Sequence, residues 1–341
     1  MARWTIGGPG WRRRSGGGWA ATLSGCAVVL LALSLGPAPG APGGLWATGA
    51  APGGSQNGTD VDRLVRRFLA ASDEYEQTFR NLTAEEAKTI EVYHESGELD
   101  KRRQIISDLV VYHSRRDGGA ATTEYRDVRS VDGRVVQRRE ARALASLTKA
   151  AEAEALEDEL EAIDRETHRY EFDRHLRGFT IHQSGVLKQW RQAFDLEWVG
   201  RDQIAGREVV VLDYRQRAPI PGFRLPVPKE FGDPAPVHRG RLWLDAQTAQ
   251  LWRDVWELTW PHPATTDPLV MIRRESTYGP SAYGILVPER IVWDWLTHFR
   301  HVEQGRPSFA LSERTTFRYG VFRRFGVVTA EDVRLPEAAD P

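Results

Sequence analysis

His168, His175 and His182 recur at seven-residue intervals, a spacing that would align three imidazoles on one helix face as metal ligands. Gly178 falls between the last two and interrupts such a helix, so the pattern reads instead as surface or helix-end histidines. His298 and His301 stand three apart in a strand-like run, with no cysteine near them to complete a ligand set. Asp294 with Glu289 is an acidic pair of the kind that this carboxylate density produces by chance. No nucleophile elbow, zinc-protease helix, phosphate loop or dinucleotide fingerprint occurs. The single cysteine, Cys26, leaves nothing for an internal disulfide or a cysteine-based zinc site. The expectation is no catalytic residue, no metal and no cofactor.

The aromatic residues are more informative. Of the twelve tryptophans, six fall between positions 243 and 295. Trp252, Trp256 and Trp260 share one parity along a strand-like run, and Trp293 and Trp295 share one along another. Such rings either fill a core or line a wall for an apolar ligand. Trp243, Trp252, Trp256, Trp293 and Trp295 are accordingly the expected ligand-binding residues.

The elements around them can be read in order. Val61, Leu64, Val65, Phe68, Leu69, Tyr75 and Phe79 recur at three- and four-residue steps after a cap at Thr59 or Asp60, predicting an amphipathic helix. Strand-like runs follow at 88–95, 101–114, 122–130 and 134–137, with Asp132-Gly133 as a hairpin turn. Residues 138–177 are rich in Ala, Glu and Arg and predict a helical insertion. Runs at 194–200 and 208–214 form the next hairpin, joined by residues 201–207. Residues 218–236 carry six prolines and are excluded from a central strand. Arg241–Leu244 and Leu251–Trp260 then pair across a turn opened by Asp245, whose carboxylate can accept backbone hydrogen bonds. Runs at 269–278, 285–299 and 309–325 complete an antiparallel meander.

Arg12-Arg-Arg14, an apolar run from Trp19 to Leu35 and a small-residue region to Ala50 predict a signal peptide or membrane anchor over 1–50. The apolar core is short against the about 20 residues of a membrane span. Leu23-Ser-Gly-Cys26 raises lipidation at Cys26 as the alternative to cleavage between Ala38 and Ala50. Residues 51–58 read as a flexible tether, 59–335 as one domain and 336–341 as a disordered tail. Net charge is −1, and the four arginines of residues 1–50, with no acid among them, leave −5 for the remainder. That balance argues against nucleic acid as a partner.

Three stretches carry a family resemblance. Trp198-Val-Gly-Arg-Asp-Gln-Ile-Ala-Gly-Arg-Glu-Val-Val-Val-Leu212 resembles the middle hairpin of the outer-membrane lipoprotein-sorting (LolA/LolB-like) proteins. Leu242-Trp-Leu-Asp-Ala-Gln-Thr-Ala-Gln-Leu251 looks like their next hairpin, and Val287-Pro-Glu-Arg-Ile291 like a later strand entered through proline. The likeness covers roughly 190–295. It implies an α+β fold, a curved antiparallel half-barrel sheet with helices covering its concave face. It also implies a periplasmic or otherwise exported, non-enzymatic protein sheltering a lipid or acyl-chain ligand, with lipoprotein or lipid trafficking as its process. Envelope proteins are the other partners implied, and membrane association is at most transient or through the N-terminus. The alternatives are an envelope structural or interaction protein and, less favoured, a hydrolase with an unrecognised site.

Overall fold

The computed structural model describes residues 56–116, 119–141, 145, 149, 156–172, 182–183, 185–218, 220, 236–261, 265–301 and 307–324. The expected leader and Cys26, most of the tether, His175, most of the proline-rich stretch and the tail lie outside the described residues.

Helix α1 (Gln56–Phe79) precedes strands β1 (Leu82–Tyr93), β2 (Leu99–Arg116), β3 (Gly119–Val131) and β4 (Arg134–Val135). Helices α2 (Leu156–Thr167) and α3 (Gly185–Gln189) follow, then a 3₁₀ turn at Arg191–Ala193. The remaining strands are β5 (Phe194–Ile204), β6 (Arg207–Gln216), β7 (Val237–Asp245), β8 (Leu251–Trp260), β9 (Leu269–Pro280), β10 (Leu286–His301), β11 (Pro307–Tyr319) and β12 (Arg323–Arg324). They make one open antiparallel sheet in the order β4-β3-β2-β1-β11-β10-β9-β8-β7-β6-β5, with β12 also on β1. Two meanders, β1–β4 and β5–β11, are thus joined through β1, which pairs with β11 and, over two residues, with β12. The fold is the α+β half-barrel class.

Helix α1 buries Val61, Leu64, Val65, Phe68, Tyr75 and Phe79, the stripe its periodicity predicts. It starts at Gln56, so the last three residues of the expected tether are helical; extending a helix by a turn costs far less than nucleating one. The sheet face that carries α1, here the inner face, is fixed by Tyr75, which meets Tyr278 of β9 edge-on at 6.3 Å. Helix α2 lies elsewhere. Thr167 accepts a hydrogen bond from the Arg126 N–H and donates to the Glu124 carbonyl, so α2 lines the edge of β3 beyond the two-residue strand β4. Covering that edge satisfies backbone groups that would otherwise invite another strand. Residues 168–172 then turn onto the inner face.

Two turns use left-handed backbone as the sequence demands. Asp132-Gly133 has φ of 50° and 76°, and Ala205-Gly206 has 49° and 75°. The second corrects the expected seven-residue connection at 201–207. Pairing continues through Asp202↔Val209, Gln203↔Glu208 and Ile204↔Arg207. Polar residues here read as loop, but a hairpin tip in solvent needs no apolar alternation.

The outer face carries cross-strand ion pairs. Arg241 grips Asp213 at 2.5 and 2.8 Å, Arg239 meets Glu257 at 2.8 Å, Arg253 meets Glu275 at 2.7 Å, and Arg314 grips Asp294 at 2.6 and 2.8 Å. Each contributes about 0.2–1 kcal/mol, since all touch solvent through at least one partner. The inner face depends on closer packing. A Cβ on Gly240 would overlap the Tyr214 ring and the Val255 carbonyl oxygen. Gly240→Ala is therefore expected to destabilise the protein by about 1–3 kcal/mol, as overpacking does. Chemical denaturation checks this; an unchanged midpoint would mean that the Tyr214 ring has room to yield.

Candidate functional site

Residues directly paired across antiparallel strands share a face, so one row of the inner face can be read from the register. It runs Tyr214, Gly240, Trp256, Arg274, Trp293, Thr315 and Ile90, from β6 to β1. Arg274 stands between two tryptophans. Its guanidinium lies over the Trp293 ring at 4.9 Å, and the indoles of Trp256 and Trp293 meet edge-on at 5.9 Å. Gly240 leaves the space into which Tyr214 reaches.

Arg274 is only 1% exposed, and none of its three guanidinium nitrogens has a hydrogen-bond partner among the described residues. Burial pulls its pKa down to about 9, against the opposing effect of Asp254, the acidic group that acts on it most strongly. Tyr214, Tyr278 and Tyr75 lie near Arg274. Burial raises the pKa of each, so they remain neutral hydroxyls and supply no counter-charge at neutral pH.

The other buried cations of this face are treated differently. Arg126 donates to both oxygens of Glu86 at 2.7 and 3.0 Å and to Glu124 at 2.7 Å. Burial opposes its charge, but Glu86 and Glu124 outweigh that and hold its pKa well above the ordinary value. Lys88 bonds Glu171, which also receives His168 at 2.7 Å. Lys88 and Arg126 lie over the Phe317 ring, at 4.9 and 5.6 Å respectively. His168 is thus buried in an ion cluster at the end of α2, not a surface residue, because its turn folds onto the sheet.

The five expected tryptophans do not form one wall. Trp256 and Trp293 meet on the inner face, and Trp295 shares it, paired with Ile272. Trp243 pairs with Arg253 and so stands on the outer face, buried under that guanidinium at 4.6 Å. Trp252 sits where the register shifts between β7 and β8, and its indole donates to Asp245 at 3.3 Å. Asp245 also accepts from the Gln247 and Thr248 N–H groups at 2.9 and 2.8 Å, the turn-forming role expected of it. Trp260 is fully buried against Phe309 at 6.0 Å. Sequence reasoning missed Arg274, Asp254 and His238, whose burial only strand register discloses. His298 and His301 lie at the end of β10, and no group of three metal-ligating side chains occurs among the described residues.

The Trp256 indole donates to His238 Nδ1 at 3.0 Å, which places the ring proton on Nε2 of a neutral imidazole. Burial lowers the His238 pKa to about 3. The unfolded histidine takes up its proton near pH 6.5 while the folded one does not. Its contribution to stability is therefore complete above that pH and is lost as pH falls toward 3, on the order of a few kcal/mol across the span. Denaturation midpoints measured between pH 7 and 4 should fall less steeply for His238→Gln; parallel curves would show that His238 charges freely in the folded state.

No protein-family model matches the sequence, and no curated protein matches it. Among solved structures the chain is similar to a DUF1329 family protein from Desulfovibrio piger, at 10% identity and a TM-score of 0.32, covering 80% of this chain and 95% of that one. It is similar to a putative outer membrane lipoprotein-sorting protein domain from Vibrio parahaemolyticus, at 11% identity and TM-score 0.29, covering 77% and 94%. A LolA superfamily protein from Nitrosomonas europaea gives 9% identity and TM-score 0.27, covering 78% and 95%. The architecture described above rests on this chain's own strand pairing, and the lipoprotein-sorting proteins that its 190–295 motifs resemble are among the similar solved structures.

Proposed function

We propose that this chain is an exported, non-enzymatic binding protein of the cell envelope that shelters a lipid-like or other apolar ligand on its inner face, beneath α1. The observation that carries the reading is the inner-face row in which Trp256, Arg274 and Trp293 meet under an amphipathic helix. Large aromatic surface with a few placed polar groups is the usual lining of a small-molecule site. Export is supported by the basic and apolar leader, and no helix among the described residues is long and apolar enough to cross a membrane.

The polar contacts of the cover lie at its rim. Lys188 bonds Asp73 and Glu76 at 2.6 and 3.0 Å, His182 meets Glu76 at 3.0 Å, and Arg191 bonds Asp62 at 2.8 Å. Arg67 donates to the Gln247 carbonyl of the β7–β8 turn. Such partly exposed contacts are individually weak.

A second reading, an envelope structural or interaction protein, is favoured by one specific fact: Trp256 and Trp293 belong to the main apolar core. Two measurements separate the readings. Mass spectrometry of solvent extracts from the full chain, purified from its native envelope, is expected to find a co-purifying amphiphile. A reproducibly empty protein supports the structural reading. Trp256→Ala is expected to lose the probe binding that the parent shows; a loss of about 3–5 kcal/mol, that of a fully buried ring, with no probe binding in the parent would favour a core role instead.

A further inference from the structure

We propose that Arg274 anchors the anionic group of the ligand, which makes the ligand an amphiphile with a carboxylate or phosphate at the end of an apolar chain. The inference rests on the reading of the inner face as a ligand site and names the class that site would take.

Among the described residues, three buried arginine and lysine side chains share this face. Arg126 has two carboxylates and Lys88 has one, all in hydrogen-bond contact. Arg274, equally buried, has the face of Trp293 on one side and no hydrogen-bond partner among the described residues for any nitrogen. A buried charge left in that state is costly unless something pairs with it. Asp254, fully buried one row along and opposite Ser276, acts on Arg274 through space but accepts none of its N–H groups. The planar fork of the guanidinium is left intact, and it fits the two oxygens of a carboxylate or phosphate. Trp256 and Trp293 supply the apolar surface against which the attached chain would lie. The neutral hydroxyls of Tyr214 and Tyr278 are further donors near Arg274. Together these place one cationic fork within aromatic walls, the arrangement that distinguishes an acid-bearing lipid from a neutral one.

The test titrates the full chain with oleate, 1-oleoyl lysophosphatidate and oleyl alcohol, each below its aggregation concentration, and reads tryptophan emission. At least one anionic probe is expected to bind about ten- to a hundredfold more tightly than the alcohol, the value of a charge-assisted hydrogen bond. Whichever anion binds more tightly separates carboxylate from phosphate. Arg274→Gln should abolish the preference while keeping alcohol binding. Equal binding of all three probes by the parent, or a preference that survives in Arg274→Gln, overturns the assignment to Arg274 and leaves the apolar site standing. Absence of binding by every probe overturns both. Where Arg274→Gln fails to fold, the comparison of probes on the parent decides alone, with Arg274→Lys expected to retain part of the preference.

Discussion

The pairing of β1 with β11 is the constraint on which the inner face depends. Seven registered pairs, from Glu86↔Tyr319 to Val92↔Glu313, join strands that are more than 220 positions apart in the chain. Without them there are two meanders, each with an exposed edge; with them, one sheet carries a continuous row from Tyr214 to Ile90. Lys88 and Arg126 reach Phe317 only across this seam. The pairing must close a long loop before any of these contacts form, which places it late and makes it slow relative to the local hairpins.

The two faces solve the problem of charge in opposite ways. Outside, arginines and carboxylates on neighbouring strands pair at the surface, where desolvation is slight and each pair contributes little. Inside, the same residue types are stripped of water, and the balance depends on whether hydrogen bonds replace it. Arg126 and Arg274 make the contrast directly. Burial opposes both charges, yet two carboxylates raise the pKa of the first and the second falls to about 9. That difference is a property of partners and not of depth.

Much of this was legible in the chain before the fold was known. The apolar stripe of α1, the Asp132-Gly133 turn, the Asp245 turn and most strands follow from periodicity and turn chemistry. The faces were less accessible. Parity ties Trp252 to Trp256 along one run, but it cannot relate Trp243 to Trp256 on the neighbouring strand, and register puts those two on opposite sides. Arg273-Arg274 is the sharper case. The residues are adjacent and chemically identical, yet one faces Glu257 on the outer face and the other is buried between tryptophans. No local signal distinguishes them, because the distinction is made by which strand lies alongside and at what offset.

Access follows from the same physics. Helix α1 holds its place over the row through Phe68, Tyr75 and Phe79, while its ionic contacts with residues 182–191 lie at the rim. Lifting it exposes apolar surface and frees groups already near water, so the apolar term dominates the cost. An apolar chain inserted beneath the helix replaces that term in kind, since it covers the same rings. It cannot by itself improve the surroundings of Arg274. A terminal anion can, and it gains most where the protein has left the fork unfilled. On the proposed reading, opening would be favoured by the free energy that a ligand gains in the open arrangement over the closed one, and on this face Arg274 is where an anionic ligand would gain and a neutral one would not.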